Sequence, residues 1–232
     1  MITRTNFGSF LIVCVVATLL FAANRSSSQQ NSPSCTTTPP GSSALTMDPA
    51  MQACIDAGTP GEMQAWLCES VGTWTGNCTM WTTELAAPTI HPCTFVMTSV
   101  FGGRYVRHTM KCEMPDNMGM LDGVGIYAYD NTAKQFQLSW IDNMSTAILS
   151  GTGERSSDGK IMNWTFRYID PATKKLTTMR ELVTRTGPDS STIEMFGPDT
   201  TTGKEYRIMR MDLKRTVCDA VAFNSSGTPP TQ

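Results

Sequence analysis

From Gly72 onward the chain alternates apolar and polar residues with a period of two. That is the pattern of strands with one face buried and the other in water. Turn-forming residues recur about every ten positions and cut the pattern into runs at about 73–83, 91–101, 104–113, 120–129, 135–143, 147–154, 160–168, 175–186, 190–196 and 205–216. Gly102-Gly103 reads as a two-residue hairpin loop and Asp158-Gly159 as a second tight turn, since both offer the positive φ such turns need. Asp130-Asn131-Thr132-Ala133-Lys134 and Asp170-Pro171-Ala172-Thr173-Lys174 are two similar loops, and the stretch from Asp199 to Lys204 is a looser third. No helical stretch interrupts the series, so consecutive strands are expected to pair antiparallel. Ten strands joined in this way can close on themselves and leave no free edge. The pattern predicts an all-β fold, an antiparallel up-and-down β-barrel of about ten strands.

Ahead of the barrel the period lengthens. Asp48-Pro49 is a cap followed by a favourable first helical position, and Gly58 ends that helix. Thr59-Pro60-Gly61-Glu62 reads as a capping box that opens a second helix, carrying Met63, Trp66, Leu67 and Val71 and stopping at Gly72. Its apolar spacing suits a lid or plug packed on something larger.

The extreme N-terminus has another character. Arg4 precedes a nearly unbroken apolar run from Phe10 to Ala23, and small residues follow. This is the order of a signal peptide, with cleavage after Ala23 or Ser28, and the run is short for a membrane span. The expected organisation is a signal peptide at 1–28, a Ser/Thr/Pro linker at 29–47, a helical lead-in and barrel at 48–218, and a tail at 219–232. Linker and tail lack the apolar residues needed to bury a core. The protein is therefore expected to be exported, either secreted or held in the envelope.

Charge removes some functions. The formal net charge is −2 with 16% charged residues, so no basic excess supports nucleic-acid binding. No run of like charges suggests an anionic membrane partner, and no oligomeric state is specified. There is no nucleophile elbow and no phosphate loop. Of eight cysteines, Cys14 falls in the signal and Cys35 in the linker, leaving Cys54, Cys68, Cys78, Cys93, Cys112 and Cys218. An exported setting favours disulfides. With Gly102-Gly103 as the loop, Cys93 and Cys112 face each other, and a cross-strand disulfide is expected there. Cys78 with Cys93 is the alternative, three aligned cysteines can also hold a metal, and barrel closure brings Cys218 near Cys68.

The motifs Pro60-Gly61-Glu62, Gly72-Thr73-Trp74-Thr75-Gly76, Gly102-Gly103-Arg104-Tyr105, Tyr129-Asp130-Asn131, Trp140-Ile141-Asp142, Asp170-Pro171, Arg180-Glu181, Glu194-Met195 and Gly203-Lys204-Glu205 follow one another over about 60–215. In order and spacing the chain resembles the bacterial family called domain of unknown function 1579. The resemblance implies a calycin, or lipocalin-like, barrel and brings no agreed activity. It departs from the family at Met63, where members often carry histidine, and at Arg210, where an acidic residue is expected.

In such barrels the tryptophan of Gly-x-Trp plugs the closed end beneath a basic residue of the last strand. For Trp74 that residue is expected to be Arg210, Lys214 or Arg215, with Arg210 the principal candidate. Trp140 and Asp142 share a strand face, and Arg180 and Glu194 approach each other if their strands form a hairpin. With Tyr129 these five are the candidate ligand-binding residues. A core tryptophan and a structural ion pair are the plainer reading. Similar haem-binding barrels take an axial histidine near the C-terminus, but only His91 and His108 are present. Haem and zinc are thus poorly supplied, and His108 reads as an ordinary strand residue. The 16 methionines can bind Cu(I), though filling of irregular cores or adaptable pockets is the simpler account. No cofactor is expected. The leading functional expectation is a binding module for a small apolar or amphipathic ligand. The alternatives are a structural barrel with a filled core and an enzyme acting on a lumen-bound substrate, for which no catalytic residue is nominated.

Overall fold

The computed structural model describes residues 48–115, 118–199 and 201–217. The expected signal peptide, linker and tail, with Cys14, Cys35 and Cys218, lie outside the described residues, as does any Cys68–Cys218 bridge.

The alternating pattern folds into ten strands: β1 (Gly72–Met80), β2 (Thr89–Val100), β3 (Tyr105–Glu113), β4 (Met120–Asp130), β5 (Gln135–Asp142), β6 (Leu149–Arg155), β7 (Ile161–Ile169), β8 (Leu176–Gly187), β9 (Ser190–Pro198) and β10 (Glu205–Val217). Each pairs antiparallel with its sequence neighbour, and β1 also pairs with β10, closing the barrel. The Gly102-Gly103 turn has φ of 64° and 83°. The loop it centres runs from 101 to 104, longer than two residues, yet it keeps the expected register, with Val100 opposite Tyr105 and Cys93 opposite Cys112.

Two helices precede the strands, α1 (Pro49–Gly58) and α2 (Glu62–Cys68). The Asp48 carboxylate accepts from the Ala50 amide at 3.1 Å, as its capping role predicts. Helix α2 starts later than the Thr59 box implied. Gly61 is its cap, and the Gln64 side chain reaches back to accept from the Gly61 amide at 2.8 Å. Buried Gln64 also donates to the Tyr129 carbonyl at 3.0 Å and to Asn131 Oδ1 at 2.9 Å. Trp66 Nε1 donates to the Gly159 carbonyl at 3.1 Å. These bonds fasten α2 to the loops at one end of the barrel.

Trp74 lies at that same end, and Arg215 covers it, with the guanidinium carbon 4.5 Å from the ring centroid. The Arg215 guanidinium also donates to the carbonyls of Val71 and Glu69 at 2.6 and 2.8 Å. Arg210 does not take this place. Opposed residues of paired strands share a face, and the register sets Arg215 opposite Trp74 but Arg210 opposite Thr79. Arg210 therefore points outward, to Asp212 at 2.7 Å and Glu194 at 3.4 Å.

Aromatic side chains fill the interior against strand positions that lack a side chain. A Cβ on Gly151 would lie 2.5 Å from Phe166, and one on Gly153 would lie 2.7 Å from Trp164. One buried cluster, near the helices, holds Leu67, Val106, Phe136, Met162, Trp164 and Phe166. A second holds Trp74, Phe95, Met110, Leu121, Met211 and the thiols of Cys78, Cys93 and Cys112. Among the described residues no helix is long and apolar enough to cross a membrane.

Candidate functional site

The interior is not full. A cavity of about 400 Å³ enters from the end opposite the helices, past Trp81, Thr82 and Thr201, and reaches Phe95 and Tyr127 in the middle of the barrel. A smaller one of about 210 Å³ lies at the helix end, between Trp66, Trp74 and Arg215. Phe95, Tyr127 and Ile193 border both and form the partition between them.

Residues of all ten strands build the wall of the larger cavity. Its apolar part is rich in methionine, with Met80, Met110, Met179, Met195, Met209 and Met211. Unbranched thioether side chains adapt to the shape of what they touch.

Its polar part centres on β3, β4, β5 and β8. His108 is buried and sits among rings: stacked on Phe95 at 4.8 Å between centroids, 5.4 Å from Trp140 and 5.8 Å from Tyr127. Burial holds its imidazole down to about 3, so it is neutral. The Tyr127 hydroxyl lies 3.3 Å from His108 Nδ1. If Tyr127 donates there, Nε2 carries the proton, and Nε2 has no hydrogen-bond partner among the described residues. Glu181 is 8% exposed, and its Oε1 also lacks a partner. Burial pushes its carboxyl up to about 7. Burial, then the nearby Glu181 charge, raises the Tyr127 phenol well above its ordinary value.

Trp140 and Asp142 both line this cavity, and Trp140 Nε1 donates to Asp142 Oδ2 at 2.8 Å. The other three candidate residues lie elsewhere. Tyr129 packs on Phe136 near the helices, with ring centroids 4.7 Å apart, outside the cavity lining. Arg180 falls opposite Phe196, and Glu194 opposite Leu182, so the two do not pair with each other. Both point outward: Arg180 pairs with Glu205 at 2.7 Å, and Glu194 with Arg207 at 2.7 Å.

From the sequence, Glu181 has no role beyond the Arg180-Glu181 motif, Tyr127 is not nominated, and His108 reads as an ordinary strand residue. The alternation did carry the signal: Glu181 follows outward Arg180, and His108 lies two positions from inward Met110. What the sequence could not give was the outward turn of every neighbouring charge.

Cys93 and Cys112 are opposed in register, as the hairpin loop predicts. Neither is bridged: Cys54, Cys68, Cys78, Cys93 and Cys112 are all free thiols. Cys78 joins the pair. Hydrogen bonds from Cys78 and then Cys93 lower the Cys112 thiol, while the same bonds, and then burial, raise the other two. Among the described residues no group of three or more His, Cys, Asp or Glu side chains is placed to hold a metal ion.

No curated protein matches the chain. A family model described as protein of unknown function (DUF1579) matches residues 59–215, from the last turn before α2 to the arginine that covers Trp74. That match takes in α2, both cavities and every strand up to Arg215, and the chain belongs to the DUF1579 family.

Proposed function

We propose that this protein is an exported, calycin-like binding protein that holds a small apolar or amphipathic ligand inside its barrel. One observation carries the reading: buried polar atoms of His108 and Glu181 face a largely apolar cavity of about 400 Å³ without partners among the described residues. Buried polar groups in folded proteins are nearly always satisfied, and each exception calls for a reason. A ligand in the lumen supplies one. The volume and the few convergent polar groups suit a small-molecule site. Gly123 speaks for the same reading, because its missing side chain lets Trp140 press against the wall rather than fill the lumen. The apolar run at Phe10–Ala23 supports export, and an oxidising destination favours joining Cys93 to Cys112.

The test is native mass spectrometry of the purified protein, followed by titration with an apolar fluorophore. Co-purified mass or saturable uptake that Trp140→Ala weakens is the expected result. A ligand-free protein that takes up no fluorophore sinks the reading and leaves a structural barrel.

Glu181 alone favours a second reading, an enzyme acting on a bound substrate. A carboxyl pushed up to about 7 suits a general acid or base near neutral pH. Turnover of a bound compound that disappears in Glu181→Gln would establish it.

A further inference from the structure

The charges of the larger cavity are of one sign. Asp142, Asp170, Glu181 and Asp199 line it, and among the described residues no lysine or arginine does. Three of these carboxylates are already satisfied by their own loops. Asp142 accepts from Trp140 Nε1 and the Met144 amide. Asp170 accepts from the amides of Ala172 and Thr173, and Asp199 from those of Thr201 and Thr202. Glu181 differs. It is buried deep in the barrel, and one of its oxygens lacks any partner among the described residues. The arginine beside it in sequence, Arg180, turns outward to Glu205. Arg185 and Arg215 line the smaller cavity, beyond the partition.

We infer that the ligand of the larger cavity is a cationic amphiphile: an apolar body bearing a protonated amine that pairs with Glu181. This rests on the binding reading proposed above and names its ligand class. A carboxylate in a low-dielectric interior is costly unless paired. Among the described residues no lysine or arginine lines the cavity beside it, so wherever this carboxyl is ionised the complement comes with the ligand. A ligand carboxylate would instead meet four acidic residues and no counter-charge. Phe95, Tyr127 and Trp140 add aromatic rings to the lining, and aromatic rings attract cations. The methionines take the apolar body.

The experiment compares three probes of equal chain length, dodecylamine, dodecanol and dodecanoate, each below its micelle concentration, by titration into the full chain at pH 8. The shared tail cancels, so the differences report the head group. Dodecylamine is expected to bind about tenfold or more tighter than dodecanol, the ratio for one modest charge-assisted contact. Dodecanoate is expected to bind most weakly. Glu181→Gln should bring the amine down to the level of the alcohol. If dodecanol binds but dodecylamine binds no better, or dodecanoate matches it, the charge assignment is overturned while the binding reading stands. If none of the three binds, including the uncharged alcohol, the binding reading fails and this inference with it. The three-probe series on the unaltered protein decides the matter even where the Glu181 variant does not fold.

Discussion

Trp140 leans on Gly123 so closely that a Cβ on that glycine would lie 2.1 Å from the ring carbon Cζ2. Gly125, two positions along the same face, would bring a Cβ to 3.2 Å from the ring. The missing side chains make the recess that holds the indole, and the Nε1 bond to Asp142 fixes its angle. Gly123→Ala should therefore push Trp140 into the lumen and cost about 1–3 kcal/mol, as overpacking does. Urea denaturation with the bound-fluorophore titration checks both effects. An unchanged midpoint with unchanged uptake would show that the indole is not held there.

Arg215 and Arg210 lie on the same strand and should differ sharply. Arg215 covers Trp74 and donates to buried-end carbonyls of Val71 and Glu69. Hydrogen bonds from a charged group contribute about 1.5–3 kcal/mol, and the ring contact adds to them. Arg215→Met should lower stability by about 3 kcal/mol. Arg210 holds outward, solvent-screened pairs with Asp212 and Glu194, for which about 0.2–1 kcal/mol is usual. Equal losses from the two substitutions in chemical denaturation would contradict the assignment of Arg215 as the closing residue.

The pair also shows how far the sequence was legible. Period-two alternation and turn residues located every strand to within about three residues, because burial on one face and positive φ in tight turns are local demands. The Cys93–Cys112 register was legible for the same reason: one turn sets it. Closure of β1 on β10 is set by no turn, and there a register shift lies between Thr73 and Trp74. The choice among Arg210, Lys214 and Arg215 was therefore open. Arg180 and Glu194 attracted notice as a charge pair, but each found an outward partner, Glu205 and Arg207, through the β9–β10 pairing. Glu181, one oxygen of which lacks a partner among the described residues, was hidden because that lack is a property of the assembled barrel.

Glu181 and His108 should leave opposite marks on stability against pH. The Glu181 carboxyl rises from 4.5 to about 7 in the folded protein. The unfolded chain thus loses that proton first, and stability falls as pH rises from about 4.5 to 7, by roughly 3 kcal/mol. The His108 imidazole falls from 6.5 to about 3. There the unfolded chain gains the proton first, and stability falls as pH drops from about 6.5 to 3, by roughly 5 kcal/mol. Between about 4.5 and 6.5 the two slopes oppose each other. Glu181→Gln should leave stability falling steadily on acidification, whereas His108→Asn should leave it falling on the way up to neutrality. Denaturant midpoints across pH 3–8 read both slopes. Parallel profiles for the two variants would refute the paired burial of these groups.

Oxidation should join Cys93 to Cys112 rather than either to Cys78. The first two are opposed residues on β2 and β3, a placement that brings Cα atoms to about 4.5–5.5 Å, within the range a disulfide spans. Cys93 faces Gly76 across β1, not Cys78, whose own partner is His91. Cys78 is thus offset along the barrel from the strand position that Cys93 faces. The bond would close a short loop around the hairpin and stabilise the protein by roughly 3 kcal/mol. The Cys112 thiol, lowered by its two hydrogen bonds, is the one poised to attack as thiolate. Non-reducing peptide mapping of the oxidised protein should find a Cys93–Cys112 linked peptide and an alkylatable Cys78, and Cys78→Ser should not change that linkage. A Cys78–Cys112 or Cys78–Cys93 peptide, or alkylation of all three after full oxidation, would overturn the pairing.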